Sequence, residues 1–473
     1  MKLDLDKGLV DSCQNAAIRI VSDVMAEIDD KTTVSVERAT ARLYGMTGAD
    51  EGVPFVNQLV DGRGHDDLGR GIARRMHGDP IPVLAEKLTK RQEMREQFDA
   101  ARSYSASPTL RYVLTATGDV DEDVTHALAV AEAGGDIIAV IRSTAQSLLD
   151  FVPEGATHEG FGGTFATQEN FRIMREALDE WSIDNGRYVR LSSFCSGLCM
   201  PEIAAIGAME GLDNLVNDCM YGILYRDLNP VRTMIDQRFS RMINGWAGIV
   251  INTGEDNYPR TADTMDCAPS VTASWFINYF MAKACQVPDR QIGLGLAFEI
   301  DPALPNSLAY EIAHSQLLRD LFPDCPTKYM PPTSHMNGNL WRTHAVDAMF
   351  NLVTELTGHG IQTIGVPTEG IFTPHIHDRV LGMEAVNYAA LAARSLGDEI
   401  EFAKGGLIRT RAASILSNAH DMLERIAEEG FFTAIEQGTF GDVKRPKDKG
   451  RGADGIVQKA PDYSNPILDA ISA

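Results

Sequence analysis

The sequence lacks the features that would place the chain in a membrane, in an oxidising compartment or on nucleic acid. No apolar run approaches the roughly 20 residues that a membrane helix needs, and the opening residues, MKLDLDKGLVDS, contain no apolar signal-peptide core. The seven cysteines are an odd set without paired C-x-x-C spacing, so we expect reduced core thiols in place of disulfides or a zinc site. The formal net charge of −23 argues against nucleic acid or an anionic membrane as a partner. The composition therefore predicts a cytoplasmic protein.

From about residue 108 the chain alternates short apolar runs with helical sequence. Eight such units predict an α/β fold of the (β/α)8 TIM-barrel type, in which the chemistry lies at the carboxyl ends of the strands. A doubly wound sheet is the alternative, because the intervals 141–188 and 252–292 are long enough to hold further elements. The predicted strands are Leu110–Ala116, Ile137–Ile141, Tyr188–Ser192, Asn214–Asn217, Gly248–Asn252, Ile292–Phe298, Thr327–Met330 and Ile361–Val366.

The sequence on either side of these units predicts two additions to the barrel. Residues 1–107 are expected to form a helical accessory region, residues 108–378 the barrel, and residues 379–473 helices followed by an irregular basic tail. The tail contains KRPKDKGRG at 444–452, whose prolines, glycines and charges argue against regular structure. A solvated tail is the expectation, and a clasp onto an acidic partner is the alternative.

Polar side chains follow the predicted strands where a barrel would place its site. The buried-strand pattern Ile137–Ile141 ends in Arg142 and is followed by Ser147 and the glycine-rich stretch 160–163. A cation, hydroxyls and bare backbone suit a bound anion. A structural arginine beside an ordinary glycine turn is the plain alternative.

Later strand ends extend this pattern toward a phosphorylated ring. Ser196 follows the third strand, and Tyr221 and Arg226 follow the fourth. Two arginines with serine hydroxyls can form a phosphate pocket. Tyr221 can stack on a flat ring, although core packing is an equal alternative for this residue.

Charged residues follow the remaining strands. Asp256 and Glu299 can hold an ammonium group, although Asp256 can also be a loop cap, and Lys328 can hold a carboxylate or an aldehyde. Glu369 follows the last strand. A flat, phosphorylated, aldehyde-bearing ring that meets an amino acid describes pyridoxal 5′-phosphate (PLP).

A metal-dependent barrel hydrolase is an alternative function, since such enzymes also gather acids and histidines at strand ends. His335, His375 and His377 are available for a metal. However, no His-x-His pair follows the first strand, where many such barrels begin their site, so no metal is expected.

Long runs of the sequence closely resemble the PLP-binding α subunit of lysine 5,6-aminomutase, an adenosylcobalamin-dependent enzyme family. The resemblance covers nearly the whole chain. The densest runs are AVIRSTAQSLLDFVPEGATHEGFGGTFATQENFRIMREAL, CSGLCMPEIAAIGAMEGLDN, YGILYRDLN, FSRMINGWAGIVINTGEDNY, KYMPPT and GTFGDVKRPKD.

This resemblance implies a (β/α)8 barrel that works in an α2β2 assembly. The partner β subunit would carry the adenosylcobalamin and supply the lysine that holds PLP as a Schiff base. The present sequence lacks the D-x-H-x-x-G cobalamin segment. The implied reaction moves the terminal amino group of D-lysine or L-β-lysine (3,6-diaminohexanoate) from C6 to C5 by a radical mechanism in lysine degradation. A non-catalytic scaffold derived from a mutase is a further alternative.

Position by position, the resemblance places five residues around PLP, with Tyr221 against the ring. These residues are Arg142, Ser147, Ser196, Tyr221 and Arg226.

The resemblance assigns three further residues to substrate handling. Asp256 and Lys328 would bind the substrate or tune the cofactor. Together with Tyr221 they would form the catalytic set. Glu369 would make a further contact with the substrate. The chain departs from the family pattern near the barrel mouth, which leaves the choice between the two substrates open. The departures are Ser193, Leu296, Ser334 and Gly370.

Overall fold

The computed structural model describes residues 2–45, 60, 63–76, 78–101, 109–141, 146–254, 265–296, 300–369 and 371–472. The strands are β1 Lys31–Thr33, β2 Leu110–Leu114, β3 Ile137–Ile141, β4 Arg190–Phe194, β5 Asn214–Val216, β6 Val250–Thr253, β7 Ile292–Leu296, β8 Lys328–Tyr329, β9 Ile361–Thr363 and β10 Ile456–Gln458. The helices before β6 are α1 Lys7–Ile28, α2 Val34–Tyr44, α3 His65–Leu68, α4 Ile81–Ala101, α5 Val120–Glu132, α6 Gln168–Asn185, α7 Met200–Glu210, α8 Tyr221–Arg226 and α9 Pro230–Trp246. Those after β6 are α10 Ala268–Ala284, α11 Ser307–Leu321, α12 Leu340–Thr357, α13 Ile376–Ala392, α14 Leu396–Glu399, α15 Leu407–Glu429, α16 Phe431–Gln437 and α17 Pro466–Ser472.

Strands β2 to β9 form a closed barrel in which every neighbouring pair is parallel. Tyr112 in β2 is in register with Ile137 of β3 on one side and Thr363 of β9 on the other, which closes the ring. The predicted TIM barrel is therefore confirmed, and the doubly wound alternative is wrong. The strands coincide with the predicted runs, and only their ends differ by a few residues.

Side-chain caps begin several helices at the positions that the sequence indicates. Thr33 accepts a hydrogen bond from the backbone N–H of Val36 at the start of α2. Thr167 accepts from the N–H of Asn170 at the start of α6. Each cap satisfies a backbone donor that the first turn of a helix leaves without a partner.

The barrel interior combines a small apolar cluster with a polar side. Tyr112, Ile137, Ala139 and Ile361 form the apolar cluster. The hydroxyl of Tyr112 lies 3.2 Å from that of Ser192 in β4, a strand that is not adjacent to β2. Contacts between non-neighbouring strands cross the interior, so these side chains point inward. The larger core lies outside the strands, where the helices pack on the sheet.

The C-terminal tail has more regular structure than its composition predicts. Strand β10 pairs antiparallel with β1, matching Lys31 to Gln458 and Thr33 to Ile456, and α17 ends the described chain. The basic run 444–452 contains neither helix nor strand and is largely exposed, as its composition predicts. The prediction of irregular sequence beyond it does not hold at β10 and α17, because β1 near the N-terminus supplies a pairing edge that no local pattern in the tail reveals. The division at residues 107 and 378 stays a prediction.

All seven cysteines are buried, as core thiols should be, and none of them forms a disulfide with another described residue. Burial raises the pKa of the Cys13 thiol to about 12, which keeps that thiol protonated and unreactive. Within the described ranges, no helix has the length and apolar content required to cross a membrane.

Candidate functional site

The loops after β3 and β4 bring Ser147 and Ser196 together. Ser147 lies on a short 3-10 turn, Gln146–Leu148, and both serines are buried. The N–H of Leu198 donates to the carbonyl of Ser147 over 3.0 Å. Gly197 has φ +99°, and a Cβ there would lie 2.3 Å from the Cα of Ser147. Only glycine permits this close approach, so Gly197 sets the distance between the two hydroxyl-bearing loops.

Gln146 ties the glycine-rich stretch to the end of β3. Its side-chain amide donates to the carbonyl of Ala166 over 2.8 Å, and its carbonyl oxygen accepts from the N–H of Ala166 over 2.7 Å. This pair of bonds mimics a strand pairing, and it holds the loop that follows Gly160–Gly163 against the barrel end.

Helix α8 begins at Tyr221 and ends at Arg226, and the side chains of these two residues meet. The guanidinium of Arg226 donates to the Tyr221 hydroxyl over 2.9 Å and lies 5.4 Å from the centroid of that ring. Tyr225 stacks on Tyr221 with centroids 5.2 Å apart. The turn that carries Ser147 is in contact with α8. The elements that carry a cation, an aromatic ring and two hydroxyls therefore lie next to one another at the ends of β3, β4 and β5.

Asp218 positions the start of α8, a role that the sequence did not reveal. One of its oxygens accepts from the N–H groups of Met220 and Tyr221, at 2.8 and 3.1 Å. The other accepts from the N–H of Gly254 over 2.7 Å and from the side chain of Asn278 over 3.1 Å. This buried carboxylate therefore links α8 to the loop after β6, which leads toward Asp256. Only its place at a strand end marked it in the sequence.

Lys328 begins β8 and projects into the barrel. It is 2% exposed, and its ammonium lies 4.8 Å from the ring centroid of Tyr112, which belongs to the non-adjacent strand β2. An ammonium over an aromatic face gains cation–π attraction, which offsets part of the free-energy cost of its burial. The lysine is accordingly held at the barrel centre.

Glu369 lies in a different part of the mouth, between the ends of β2 and β9. It lines a cavity of ≈ 360 Å³ together with Thr117, Phe161, Phe372 and Arg379. The guanidinium of Arg379 donates to the carbonyl of Leu114 over 2.8 Å and is almost fully buried. Sequence reasoning placed Arg379 on an ordinary helix, and no local signal marked it as a cavity wall.

Two of the predicted site residues, Arg142 and Asp256, lie outside the described residues, and so does Glu299. The described members divide into a group near α8 and the inward Lys328, with Glu369 on its own cavity wall. The roles of these residues stay predictions.

The histidines proposed for a metal have other contacts. His375 caps helix α13, and His377 lies 3.9 Å from Asp378. His335 lies 3.8 Å from Asp301. In the described ranges, the cluster with metal-ligand spacing is Asp119, Asp121 and His158, which contains none of these three histidines.

Comparison with known proteins identifies the family. A family model described as the D-lysine 5,6-aminomutase TIM-barrel domain of the alpha subunit matches residues 3–82 and 79–470. Two proteins named lysine 5,6-aminomutase alpha subunit, from Fusobacterium nucleatum and Acetoanaerobium sticklandii, are each 45% identical over 508 residues, covering 99% of this chain and 98% of each relative. The chain belongs to the lysine 5,6-aminomutase α-subunit family.

Membership in this aminomutase family confirms the resemblance seen in the sequence and makes the chain a subunit of an isomerase. An α subunit implies a partner subunit. A further relative, the D-ornithine 4,5-aminomutase subunit beta of Acetoanaerobium sticklandii, is 27% identical over 366 residues. That match covers 74% of this chain and 49% of the relative. The chain therefore aligns with about half of a longer aminomutase subunit.

Proposed function

We propose that the chain is the PLP-binding subunit of an adenosylcobalamin-dependent aminomutase. The reaction moves the terminal amino group of D-lysine or L-β-lysine from C6 to C5 by a radical mechanism in lysine degradation. The observation that carries the proposal is the contact, at one barrel end of a member of this family, between the loops that hold Ser147 and Ser196 and the helix that holds Tyr221 and Arg226.

The residues around α8 fit the phosphate and ring of PLP. Arg226 supplies a charged donor, Ser147 and Ser196 supply hydroxyls, and Gly197 leaves bare backbone beside them. Charge-assisted hydrogen bonds from arginine are strong phosphate contacts. Tyr221 is proposed to lie against the ring, and Arg142 to complete the phosphate contacts. When bound, PLP would supply an electron-accepting ring that delocalises charge or an unpaired electron from the carbon atoms conjugated with it.

The proposed substrate contacts lie deeper in the barrel and across its mouth. Lys328 is proposed to hold the substrate carboxylate, because its buried ammonium points inward at the barrel centre. Asp256 and Glu369 are proposed to orient the amino groups. Fixing both ends of a flexible amino acid lowers the entropy cost of reaching the reactive geometry. Tyr221, Asp256 and Lys328 form the proposed catalytic set.

Exposed apolar side chains around the barrel mouth support the proposal of a partner subunit. They come from the segments after β3, β7, β8 and β9, and Phe161 and Trp341 are 86% and 89% exposed. Apolar surface of this kind commonly marks a protein contact. We propose that a β subunit carrying adenosylcobalamin covers the mouth in an α2β2 assembly and that one of its lysines holds PLP at rest. The remaining members of this rim are Leu148, Phe151, Leu304, Ile371 and Phe372.

A visible spectrum with PLP, followed by borohydride reduction and mass mapping, tests this function. The chain is measured alone and with its cobalamin-binding partner. We expect a reduced PLP adduct on a lysine of the partner. An adduct on Lys328 with the chain alone would instead mean a self-contained PLP barrel. Failure to bind PLP with the partner present would contradict the proposal and favour a non-catalytic scaffold.

A further inference from the structure

The C-terminal tail contacts the helix that carries Tyr221 and Arg226. The Nε of Arg445 donates to the carbonyl of Ile223 over 3.0 Å, and an Nη group donates to the carbonyl of Leu224 over 3.5 Å. The same Nε lies 3.2 Å from the carboxylate of Asp227, the C-cap residue that directly follows α8. One side chain of the tail therefore contacts the carboxyl end of α8 at three oxygens.

These contacts satisfy the end of a very short helix. The last carbonyls of a helix have no partner within it, and a cation there interacts favourably with the helix dipole. Helix α8 has six residues, so these unsatisfied groups are a large share of its backbone. Asp227 has φ +58°, a left-handed conformation that is uncommon for residues other than glycine. Arg445 thus stabilises both the carbonyls and the capping residue of α8.

Backbone hydrogen bonds hold the tail next to the same helix. The N–H of Arg451 donates to the carbonyl of Asp227 over 2.7 Å, and the N–H of Asn229 donates to the carbonyl of Arg451 over 2.9 Å. The side chain of Asn229 donates to the carbonyls of Lys447 and Lys449 over 2.9 and 2.8 Å. The tail is therefore anchored on the residues that directly follow Arg226.

The tail also contacts the support of the Ser196 loop. Arg232, which is fully buried, donates to the carbonyl of Gly452 over 3.0 Å and to that of Leu198 over 3.4 Å. Leu198 is the residue whose N–H bonds to Ser147. A Cβ at Gly452 would lie 2.4 Å from the side chain of Leu198, so tail and loop are in close contact.

We propose that Arg445 is a positioning residue for the phosphate half of the cofactor site. It holds the end of α8, and with it the position of Arg226 on a helix that contacts the Ser147 turn, while touching neither cofactor nor substrate. This inference rests on the proposed function for its link to PLP. The basic tail is thus a clasp onto an acidic residue of its own chain.

Hydrogen exchange of the full-length chain tests the mechanical part of the proposal without PLP. In Arg445→Ala, we expect amides of the peptide 220–229 to exchange about tenfold faster, because α8 loses its end contacts. Arg445→Lys should restore most of the protection. Arg451→Ala is the matched control, since it removes the same charge from the same segment. No hydrogen bond or ion pair of the Arg451 side chain is seen among the described residues, and its backbone bonds persist. Unchanged exchange in Arg445→Ala would overturn the proposal.

Binding of PLP compared with binding of pyridoxal, which lacks the phosphate, tests the link to the site. We expect Arg445→Ala to weaken PLP binding by about tenfold while pyridoxal binding changes less than about twofold, because the phosphate contact is displaced. Arg451→Ala should match the wild type for both ligands. If Arg445→Ala exchanges faster but still prefers PLP over pyridoxal as strongly as the wild type, the positioning role is overturned and the proposed function stays intact. A wild-type chain that prefers PLP no more than pyridoxal would instead contradict the proposed cofactor site.

Discussion

Lys328 illustrates how one residue acquires its role from the elements around it. It is the first residue of β8, in register with Gly295 of β7 and Ile361 of β9. Glycine at 295 offers no side chain on that flank, and the ring of Tyr112 lies 4.8 Å from the ammonium. A buried, inward ammonium suits a ligand carboxylate, since pairing offsets the cost of removing its charge from water. The sequence predicted that Lys328 belongs to the site, and the structure shows that its side chain points into the barrel.

Replacing Lys328 with alanine is expected to damage turnover while sparing PLP binding. With the partner present, we expect kcat/KM for D-lysine or L-β-lysine to fall at least about a hundredfold, because the substrate loses an orienting contact. The resting PLP absorbance should stay unchanged. Lys283→Ala removes an exposed lysine of α10 and serves as control. Loss of the absorbance in Lys328→Ala would make Lys328 the residue that holds PLP.

At the scale of elements, the site depends on how closely the loops after β3 and β4 approach each other. The bond from Leu198 to Ser147 and the side-chain pair of Gln146 with Ala166 hold these loops together. Gly197 is the residue that permits this approach, because its φ is positive and its Cα faces the backbone of Ser147. The contact joins two loops far apart in sequence, so no local pattern predicts it.

Gly197→Ala adds a single methyl group, but we expect it to disturb the site strongly. The new Cβ would overlap backbone atoms of Ser147, and a positive φ adds about 1–2 kcal/mol of strain. We expect a loss of more than about 2 kcal/mol in the free energy of unfolding together with weakened PLP binding. Urea unfolding and PLP titration measure the two effects.

Gly358→Ala is the matched control for that substitution. Gly358 has φ +78°, yet a Cβ there meets no atom within 4 Å. Gly358→Ala should lower the free energy of unfolding only by the strain of the positive φ, and it should leave PLP binding unchanged. Equal effects of both substitutions would contradict the importance of the loop contact.

For the molecule as a whole, buried neutral histidines link stability to pH. Burial lowers the pKa of His126 to about 4 and that of His314 and His359 to about 3, with nearby arginines adding to the shift. Between these values and the unfolded value of about 6.5, the unfolded chain binds more protons than the folded one. Each histidine therefore lowers the free energy of unfolding as the pH falls through this window.

His314→Gln isolates one of these contributions. His314 is fully buried, with a ring nitrogen 2.9 Å from the Thr272 hydroxyl and its ring against Trp275. Between pH 7 and pH 5, the wild type should lose about 2 kcal/mol more of unfolding free energy than the variant. Urea unfolding at both pH values measures the difference, with the exposed His344→Gln on α12 as control. An equal loss in wild type and His314→Gln would contradict a neutral buried imidazole.

The distance along the chain between contacting residues explains which parts of the fold were predictable. Barrel strands such as β3, whose sequence is IIAVI, are short apolar runs, and the length of such a run is a local property of the sequence. The pairing of β10 with β1 joins residues at opposite ends of the chain, and the tail's composition argued against regular structure. The sequence placed Asp218 at a strand end and Arg379 on a helix without a role for either, because their importance lies in contacts across loops and between β2 and β9.

The sequence by itself determined the barrel, the order of its strands and the family, because periodic apolar runs and long matching segments are properties of the chain taken in order. It also indicated which polar residues follow each strand. Tertiary structure alone decided that Ser147 meets the Ser196 loop, that Lys328 points inward and that Arg445 holds the end of α8. These contacts depend on distances between segments far apart in sequence, which packing sets and local pattern does not encode.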